Sequence, residues 1–509
     1  MSRTENAMKN MFSGFIGNIR GLILNFISRT VFIYVLGSTY LGISGLYSSI
    51  LSVLSLTELG FGSALTFAMY RPVAENDEER ILKLLDFYRT VHRIVALIVT
   101  TLGLAILPFL QHIVKGGDHL SLFELRLYFL IYLANSVVSY FVSYKYCYLY
   151  AQQKGYITTN IDTVVSIIIT VTQILVLVIT KSFLVYLVTQ TALSIVSKFG
   201  IAYYLNTQFP ILKKKSNLRL SKEEKKPIYK EVRGLMVHNF SGMAVTSTDN
   251  IIIASLSGLG IAAVGFVSNY NLIITSVLGF VSVIFNSMTA GFGNLVATND
   301  EENYHRVFTE ANFLNFWIYG FCAIAFFVLI PPFITLWIGE QYLIDRACLL
   351  LMVVDSYLNG QCSVYINARC AKGNFGKDKW NAFCQAMVNL IVSVVAANYF
   401  GLLGVYIGTV CSRLVLVVRP IQTYPFLFGR SSKTYYKDFT LYSLVVLVAG
   451  FVTYSLAEMV LTKITVIRFV GAMAIVTVLP NLVFFLCFCK TKRFENILFR
   501  VQNIINRNN

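Results

Sequence analysis

Apolar runs long enough to cross a lipid bilayer recur along the whole of this 509-residue chain. A hydrocarbon core of about 30 Å requires roughly 20 apolar residues in a helix, which rises about 1.5 Å per residue. Only 13% of the residues are charged, whereas soluble domains carry about 25%. Because backbone polar groups must be paired within lipid, these runs must be helices. The sequence therefore predicts an all-α integral membrane protein, and excludes a soluble enzyme and a nucleic-acid-binding protein.

Hydropathy predicts about fourteen transmembrane helices. The predicted spans cover residues 12–36, 42–70, 87–114, 121–146, 157–180, 183–207, 232–256, 261–297, 307–337, 343–369, 380–400, 402–428, 439–461 and 465–489. The connecting loops are short, the longest being the basic stretch 208–231, so we expect no extramembrane catalytic domain. Any function must lie among the helices.

The net charge of +17 sorts by side of the membrane. An even number of spans puts both termini and all even-numbered loops on one side, and that side holds most of the lysine and arginine residues, including Lys213–Lys215. The opposite loops hold little beyond Lys115, Lys181 and Lys463. By the positive-inside rule both termini are cytoplasmic. The basic residues of 208–231 could instead form a functional patch. Membrane topology and contact with anionic lipid headgroups explain these residues better.

A short motif recurs in the two halves of the chain. Val73–Glu79 (VAENDEE) returns as Val296–Glu302 (VATNDEE), 223 residues later, after the second span of each half. Asn18–Gly21 similarly parallels Asn239–Gly242 at a shift of 221. At 100° per residue, polar residues then share one helical stripe in each half: Asn18, Asn25 and Arg29 in the first, and Asn239, Thr246 and Asn250 in the second.

Each six-span half enters the membrane from the same side, so the repeats are parallel. We therefore predict two six-helix lobes related by a pseudo-two-fold axis along the membrane normal. The predicted parts are an N-terminal lobe 1–207, a basic cytoplasmic linker 208–231, a C-terminal lobe 232–428, and an additional helix pair with a cytoplasmic tail, 429–509.

Three stretches resemble one known family. They are Thr248–Ile253 with Gly258, Val264–Gly265 and Asn269–Tyr270; Ala151–Lys154 between the fourth and fifth spans; and Gly401–Thr409 between the eleventh and twelfth. This ensemble, with the 6+6 layout and the added helix pair, resembles the polysaccharide-transport flippases of the multidrug/oligosaccharidyl-lipid/polysaccharide exporter superfamily. The resemblance covers essentially the whole chain, although no single motif is diagnostic.

The resemblance implies a transporter, not an enzyme. Its implied substrate is an undecaprenyl-pyrophosphate-linked oligosaccharide, moved by alternating access to the outer leaflet of the bacterial cytoplasmic membrane for capsule, O-antigen or a related polymer. It implies membrane lipids and polysaccharide assembly proteins as partners, with no nucleic acid. We expect no cofactor and no metal, since the chain has no phosphate loop and no C-x-x-C pair.

Arginines in the first span are the leading candidates for holding an anionic head, because intramembrane charge is expensive and guanidinium binds phosphate through a fork of donors. Arg29 shares the Asn18 and Asn25 stripe and is expected to line the cleft. Arg20 points the other way, and an ion pair with Glu58 is an equally good interpretation.

Asp249 of span seven is the pseudo-equivalent of Arg29, which suggests a gate between them. The alternative is that the Asp249 carboxylate finds its hydrogen-bond or ion-pair partners within its own lobe. Further cleft candidates are Lys198, Arg413, Asn239 and Asn250, although the two cations could also snorkel to the interface. For ion coupling the candidates are Glu58, Asp249 and His238, the histidine being equally consistent with a structural role.

Two rival functions remain. An ion-coupled multidrug and toxin antiporter would share the fold, but the intramembrane basic residues match or outnumber acids such as Asp162 and Asp355, which favours an anionic substrate. A membrane-embedded glycosyltransferase or polymerase would need catalytic groups on an ordered aqueous loop, and the outer loops are too short for that.

Overall fold

A computed structural model describes residues 3–55, 61–117, 120–214, 219–256, 260–297, 300–372 and 379–508. These residues form eighteen α-helices with short connections and contain no β-strand. The predicted all-α membrane fold is therefore confirmed. The chain divides into two compact units, Met1–Ser268 and Asn269–Asn509. The predicted boundaries of the lobes, linker and tail stay predictions.

The first unit contains eight helices and the start of a ninth. They are α1 Arg3–Leu54, α2 Phe61–Glu75, α3 Glu78–Ile106, α4 Leu110–Ile113, α5 Leu122–Ala151, α6 Gly155–Thr180, α7 Phe183–Gln208, α8 Lys222–Ser255 and the first residues of α9 Gly260–Ala297.

The second unit contains the rest of α9 and nine further helices. They are α10 Glu301–Trp337, α11 Arg346–Gln361, α12 Ser363–Ala371, α13 Lys379–Phe400, α14 Leu402–Val418, α15 Pro420–Phe428, α16 Lys433–Val460, α17 Val466–Phe488 and α18 Lys492–Asn508.

Twelve stretches of the described residues are long and apolar enough to cross a membrane. The difference from the fourteen predicted spans has two sources. Residues 16–54 count once although α1 bends at Gly37, whose φ of 81° and ψ of −174° are not helical. The predicted span 232–256 lies in α8, which is not among the twelve, and most of its side chains between 234 and 246 lie outside the described part of the chain.

The repeated VAENDEE motif is a helix-start signal. Asp77 accepts a hydrogen bond from the Arg80 backbone N–H at 3.0 Å at the start of α3, and Asp300 accepts one from the Asn303 N–H at 3.0 Å at the start of α10. The two glutamates that follow lie in the first turn of each helix. Aspartate satisfies an orphan backbone donor there, and acidic residues favour the positive end of the helix dipole.

A similar start opens α8 on the cytoplasmic side of the predicted topology. Ser221 and Glu224 form a reciprocal capping box, with the Ser221 N–H donating to the Glu224 carboxylate at 2.8 Å. This hydrogen bond lowers the pKa of the exposed Glu224 side chain below its ordinary value.

Close backbone contacts join the bend of α1 to the start of α9 within the first unit. A Cβ on Gly42 would lie 1.9 Å from the carbonyl oxygen of Ile261, and one on Gly265 would lie 2.2 Å from that of Ser38. The backbone carbonyl oxygen of Lys115 lies beside them and accepts a hydrogen bond from the Ile261 N–H at 2.8 Å. Only glycine fits at positions 42 and 265, and we call these contacts the outer seal because the predicted topology places them at the outer surface.

The α16–α17 helix pair packs on α10. The rings of Phe316 and Tyr442 stack at a centroid distance of 4.3 Å, and Phe484 packs against Phe316 at 5.1 Å. Helix α18 joins the same assembly from the C-terminal end, since Arg500 forms a 2.7 Å ion pair with the buried Glu310 of α10. The predicted C-terminal tail is thus largely a helix.

Candidate functional site

Arg20 on α1 reaches α6. Its Nη1 donates to the carbonyl oxygens of Thr163 at 2.8 Å and Asp162 at 3.3 Å, and to the Ser166 hydroxyl. The side chain is half-buried. Charged donors make strong hydrogen bonds to carbonyl oxygens, so these contacts hold the guanidinium against the backbone of α6 at Asp162 and Thr163.

Asp162 is the centre of a group of charged residues from four helices. Both Arg20 and Lys198 of α7 interact electrostatically with its carboxylate. The Tyr146 hydroxyl of α5 donates to Asp162 Oδ1 at 3.4 Å, and Lys198 Nζ donates to the Asn135 carbonyl oxygen at 3.4 Å. We call Arg20, Tyr146, Asp162 and Lys198 the N-terminal charge cluster.

The cluster lies inside the predicted membrane but nearer the cytoplasmic side. Asp162 follows the start of α6 by seven residues, about 10 Å, and Lys198 precedes the end of α7 by ten, about 15 Å. Arg20 lies eight residues inside the predicted first span. All three helix ends are cytoplasmic in the predicted topology, so the three charges have similar depths.

Two cations and one carboxylate interact electrostatically in this cluster, so their charges sum to an excess of one positive charge. Asp162 is exposed, whereas Arg20 and Lys198 are half-buried. Exposed charge at membrane depth requires a water-filled or polar environment. The arrangement suits reversible binding of an anionic group, which would replace the Asp162 carboxylate as partner of the two cations.

Arg29 lies farther along α1 and has different partners. Its Nη1 donates to the Ser268 hydroxyl on α9 at 2.8 Å, and Tyr132 and Tyr186 lie in its electrostatic neighbourhood. The Tyr186 hydroxyl also hydrogen-bonds with Ser28 of α1. Arg29 is therefore half-buried in a polar, aromatic environment near the outer seal, and its role in a cleft stays a prediction.

The remaining candidates of the first unit are dispersed. Asn18 and Asn25 are exposed on α1, Asp249 is buried on α8, and Asn250 donates to the Ser49 hydroxyl at 2.9 Å. The gate between Arg29 and Asp249 stays a prediction. Glu58 and the side chains of His238 and Asn239 lie outside the part of the chain that the structure describes.

Arg413 in the second unit forms a two-pronged ion pair. Its Nε and Nη2 reach the Asp355 carboxylate of α11 at 2.5 Å and 3.4 Å, and its Nη1 donates to Asn359 at 3.2 Å. Both side chains are largely buried, with 12% and 19% exposed. Both interpretations of Arg413, as a residue that lines a cleft and as one that reaches the interface, stay predictions.

Sequence reasoning identified the cations of the cluster but not its centre. From the sequence, Asp162 was only one of several intramembrane acids, and Tyr146 was not a candidate. Depth was the signal that could have found the pair, since Arg20 and Asp162 lie eight and five residues inside predicted spans that begin on the same side. Among the described residues, no group of three or more His, Cys, Asp or Glu side chains is arranged to hold a metal ion.

Comparison with known proteins gives information on the fold alone. Neither a family model nor a curated protein matches the sequence. Among solved structures, the lipid II flippase MurJ in an inward closed conformation aligns over 98% of this chain and 99% of its own, with a TM-score of 0.67 and 15% identity.

The chain has the fold of the multidrug/oligosaccharidyl-lipid/polysaccharide exporter superfamily. An inward-facing multidrug resistance MATE family transporter of this superfamily aligns over 78% of this chain and 92% of its own, with a TM-score of 0.57 and 17% identity. A point mutant of the Vibrio cholerae MATE transporter VcmN aligns over 84% and 99%, with a TM-score of 0.56 and 13% identity. The predicted superfamily fold is thus confirmed, and the polysaccharide-transport family within it stays a prediction.

Proposed function

We propose that this protein is a flippase that moves a lipid-linked oligosaccharide, carried on undecaprenyl pyrophosphate, across the bacterial cytoplasmic membrane for polysaccharide synthesis. The observation that supports the proposal is the N-terminal charge cluster, in which Arg20 is held against α6 by hydrogen bonds and both Arg20 and Lys198 lie within electrostatic range of the single Asp162 carboxylate. An excess of positive charge at membrane depth fits a pyrophosphate head better than a cationic drug. The flippase MurJ has the same fold over nearly the entire chain.

In the proposed mechanism the headgroup enters from the cytoplasmic side, because the cluster lies closer to that surface of the predicted membrane than to the outer one. The pyrophosphate exchanges with Asp162 at Arg20 and Lys198, and the Tyr146 hydroxyl, which donates to Asp162 in this structure, turns to the incoming anion. Return of Asp162 to the cations then favours release of the headgroup. The polyprenyl tail stays in lipid, and alternating access exposes the site to the outer side.

An ion-coupled multidrug antiporter is the second candidate, because the Asp162 carboxylate is exposed and a cationic substrate could pair with it. Two MATE transporters share the fold. This alternative makes Asp162 the substrate-binding group, whereas the flippase makes it a competitor of the substrate. The two functions therefore predict opposite effects of removing the carboxylate.

The experiment uses a deletion strain complemented with wild type, Arg20→Gln, Lys198→Gln or the control Lys463→Gln, an exposed lysine in the second unit. Membrane levels are matched, and surface polysaccharide and lipid-linked oligosaccharide are measured. We expect the two cluster variants to lose surface polymer and to accumulate the lipid-linked repeat on the cytoplasmic face, while the control restores wild-type amounts. Unchanged polymer together with greater sensitivity to cationic drugs would replace the flippase by the antiporter.

A further inference from the structure

Helices α11 and α12 form one predicted span, 343–369, but they are separated by a break at Cys362. Helix α11 ends at Gln361, and α12 begins at Ser363. A break at membrane depth frees backbone groups from the helical hydrogen bonds, so neighbouring helices, side chains or ordered water must satisfy them. At this break part of that role belongs to side chains of α10, which lies in the same unit.

Asn315 of α10 bonds to both sides of the break. Its amide nitrogen donates to the carbonyl oxygen of Gly360 at 3.0 Å and to that of Gln361 at 3.4 Å. Its amide oxygen accepts a hydrogen bond from the Ser363 hydroxyl at 2.9 Å. The Asn315 side chain is completely buried. One side chain therefore joins the end of α11 to the start of α12.

Tyr319, one turn farther along α10, packs on the same break. A Cβ on Gly360 would lie 2.0 Å from the Tyr319 ring, and the Tyr319 hydroxyl hydrogen-bonds with Ser363. The spacing of four residues puts Asn315 and Tyr319 on one face of α10. We call Asn315, Tyr319, Gly360 and Ser363 the break clamp. Only glycine fits beneath the ring, so the clamp holds α10 directly against the break.

Two buried amides beside the break clamp are incompletely bonded. Gln361 is 1% exposed, and its Nε2 has no hydrogen-bond partner among the described residues. Asn312 is 5% exposed and precedes Asn315 by three residues on the same face of α10, and its Oδ1 also has no partner in the part of the chain that the structure describes. Buried polar atoms without a partner are costly, and folded proteins usually pair them with protein groups or ordered water.

The two atoms have complementary chemistry. Gln361 Nε2 is a donor and Asn312 Oδ1 is an acceptor, so one ligand that both accepts and donates can pair with them. Residues three apart on a helix are about 5–6 Å apart at their Cβ atoms, and Asn315 bonds directly to Gln361, so a small molecule can span the two amides. Neither amide is charged, and the break clamp adds no charge. Water meets these requirements, since buried waters make about three hydrogen bonds to polar groups that otherwise lack partners.

We propose that the α11–α12 break holds a bound water molecule, which accepts a hydrogen bond from Gln361 Nε2 and donates one to Asn312 Oδ1. The water completes the hydrogen bonding that Asn315 begins and joins α10 to the break at a second position. Because water can reorient its hydrogen bonds, the angle between α11 and α12 can change without leaving either amide unpaired. No substrate group takes part in this site, so it does not depend on the proposed function.

The test is radiolytic footprinting of the full-length protein in detergent, in which X-rays convert water into hydroxyl radicals that oxidise the side chains beside it. Cys362 is the reporter, because it adjoins Gln361 and is completely buried, and the buried Met352 of α11 gives the background. We expect Cys362 to be oxidised several-fold faster than Met352. Gln361→Met and Asn312→Leu, which remove the donor and the acceptor, should each slow Cys362 oxidation several-fold. The control Gln173→Met, at a buried glutamine of α6, should leave it unchanged.

Thermal unfolding gives a second, independent measurement. If water pairs the Gln361 donor, Gln361→Met loses a hydrogen bond, and its thermal midpoint is unchanged or lower than that of wild type. If the donor is unpaired, its removal raises the midpoint, because the cost of burying it disappears. The water site is wrong if the midpoint rises, if Cys362 is oxidised no faster than Met352, or if both substitutions leave Cys362 oxidation unchanged. If Gln361→Met does not fold, the same two measurements on Asn312→Leu decide the question.

Discussion

The Asp162 carboxylate is the only acidic group of the N-terminal charge cluster, which also contains the two cations Arg20 and Lys198. Removal of Asp162 would leave Arg20 and Lys198 without the anion that offsets their charge. In a partly desolvated environment an elementary charge a few ångströms away changes a binding free energy by an order of about 1–2 kcal/mol. Under the proposed function, the acid therefore sets how strongly a substrate headgroup is held and how readily it leaves.

Asp162→Asn is expected to tighten binding of a short-chain polyprenyl pyrophosphate to the purified protein by about tenfold. Flipping in proteoliposomes should slow, because the carboxylate no longer competes for the cations. Binding is measured by thermophoresis, with Glu340→Gln, an exposed acid in the second unit, as the control. Weaker binding of the pyrophosphate together with lost binding of a cationic drug would instead support the antiporter.

The ion pair between Arg413 and Asp355 is a structural prediction at the same scale. Asp355→Asn leaves a largely buried guanidinium with a neutral partner, and we expect a loss of about 2–4 kcal/mol in the free energy of unfolding. The double variant Asp355→Asn/Arg413→Gln should recover part of that loss, because no uncompensated charge then remains. Thermal unfolding in detergent measures both. If the double variant is as unstable as the sum of the single changes, the pair is not coupled.

At the scale of elements, the repeat motif shows what sequence can and cannot supply. The 223-residue recurrence is recognisable from the letters alone, and the structure adds that Asp77 and Asp300 cap α3 and α10. The predicted span 183–207 matches α7, Phe183–Gln208, almost residue for residue. The predicted boundary between spans 12–36 and 42–70 coincides with the bend at Gly37, whereas the breaks at Cys362 and Pro420 were missed because hydropathy averages over them.

The sequence also did not predict which side chains on different helices contact one another. Sequence periodicity predicted a depth and a face for Arg20 but not its contacts with Asp162, Thr163 and Ser166 of α6. An ion pair with Glu58, which lies outside the described residues, stays a prediction. Which helices are neighbours depends on packing of the complete lobe, and composition and periodicity do not encode it directly. Arg413 shows the same limit, since Asp355 was known only as another intramembrane acid.

The paired caps lead to a matched prediction. Asp77→Ala and Asp300→Ala should each lower the free energy of unfolding by about 1 kcal/mol, the usual contribution of an aspartate N-cap. Asp77→Asn and Asp300→Asn should cost much less, because asparagine caps nearly as well. The measurement is the thermal midpoint of each variant in the same detergent. A cost confined to one half would contradict equivalent roles for the two motifs.

Helix α18 is held to α10 by a buried carboxylate. Glu310 accepts a hydrogen bond from Asn496 at 3.0 Å and pairs with Arg500, whose side chain is 49% exposed. Arg500→Gln should destabilise by about 1–3 kcal/mol, less than a fully buried pair because solvent screens the arginine. Adding Glu310→Gln should restore much of the stability, and Lys492→Gln on the exposed side of α18 should change little. A double variant no better than Arg500→Gln would contradict this assignment.

At the scale of the molecule, the outer seal holds two distant parts of the chain in backbone contact. Gly42 touches the backbone at Ile261, and Gly265 touches that at Ser38, so any side chain at either glycine forces the segments apart. An alternating-access transporter must break contacts of this kind once in every cycle. Under the proposed function, the seal is therefore a place where one substitution can shift the balance between states.

Gly42→Val should increase labelling of a cysteine placed at Ser38 by a membrane-impermeant maleimide several-fold, because valine cannot occupy the space beside the Ile261 carbonyl. Gly279→Val serves as the control, since a Cβ there meets no described atom within 4 Å. The chain without the added cysteine gives the background from the nine native cysteines. Equal labelling of both variants would show that the segments 38–42 and 261–265 do not separate.

The turn at Gly37 has a practical consequence for anyone who wishes to attach a reporter to this protein. One glycine joins two helical segments with no spare residue, so an epitope or fluorescent tag inserted there would interrupt both segments and the outer seal beside them. The stretch 461–465 between α16 and α17 lies on the same predicted side and is mostly exposed. A tag placed in that stretch can report topology from outside the cell without interrupting α1.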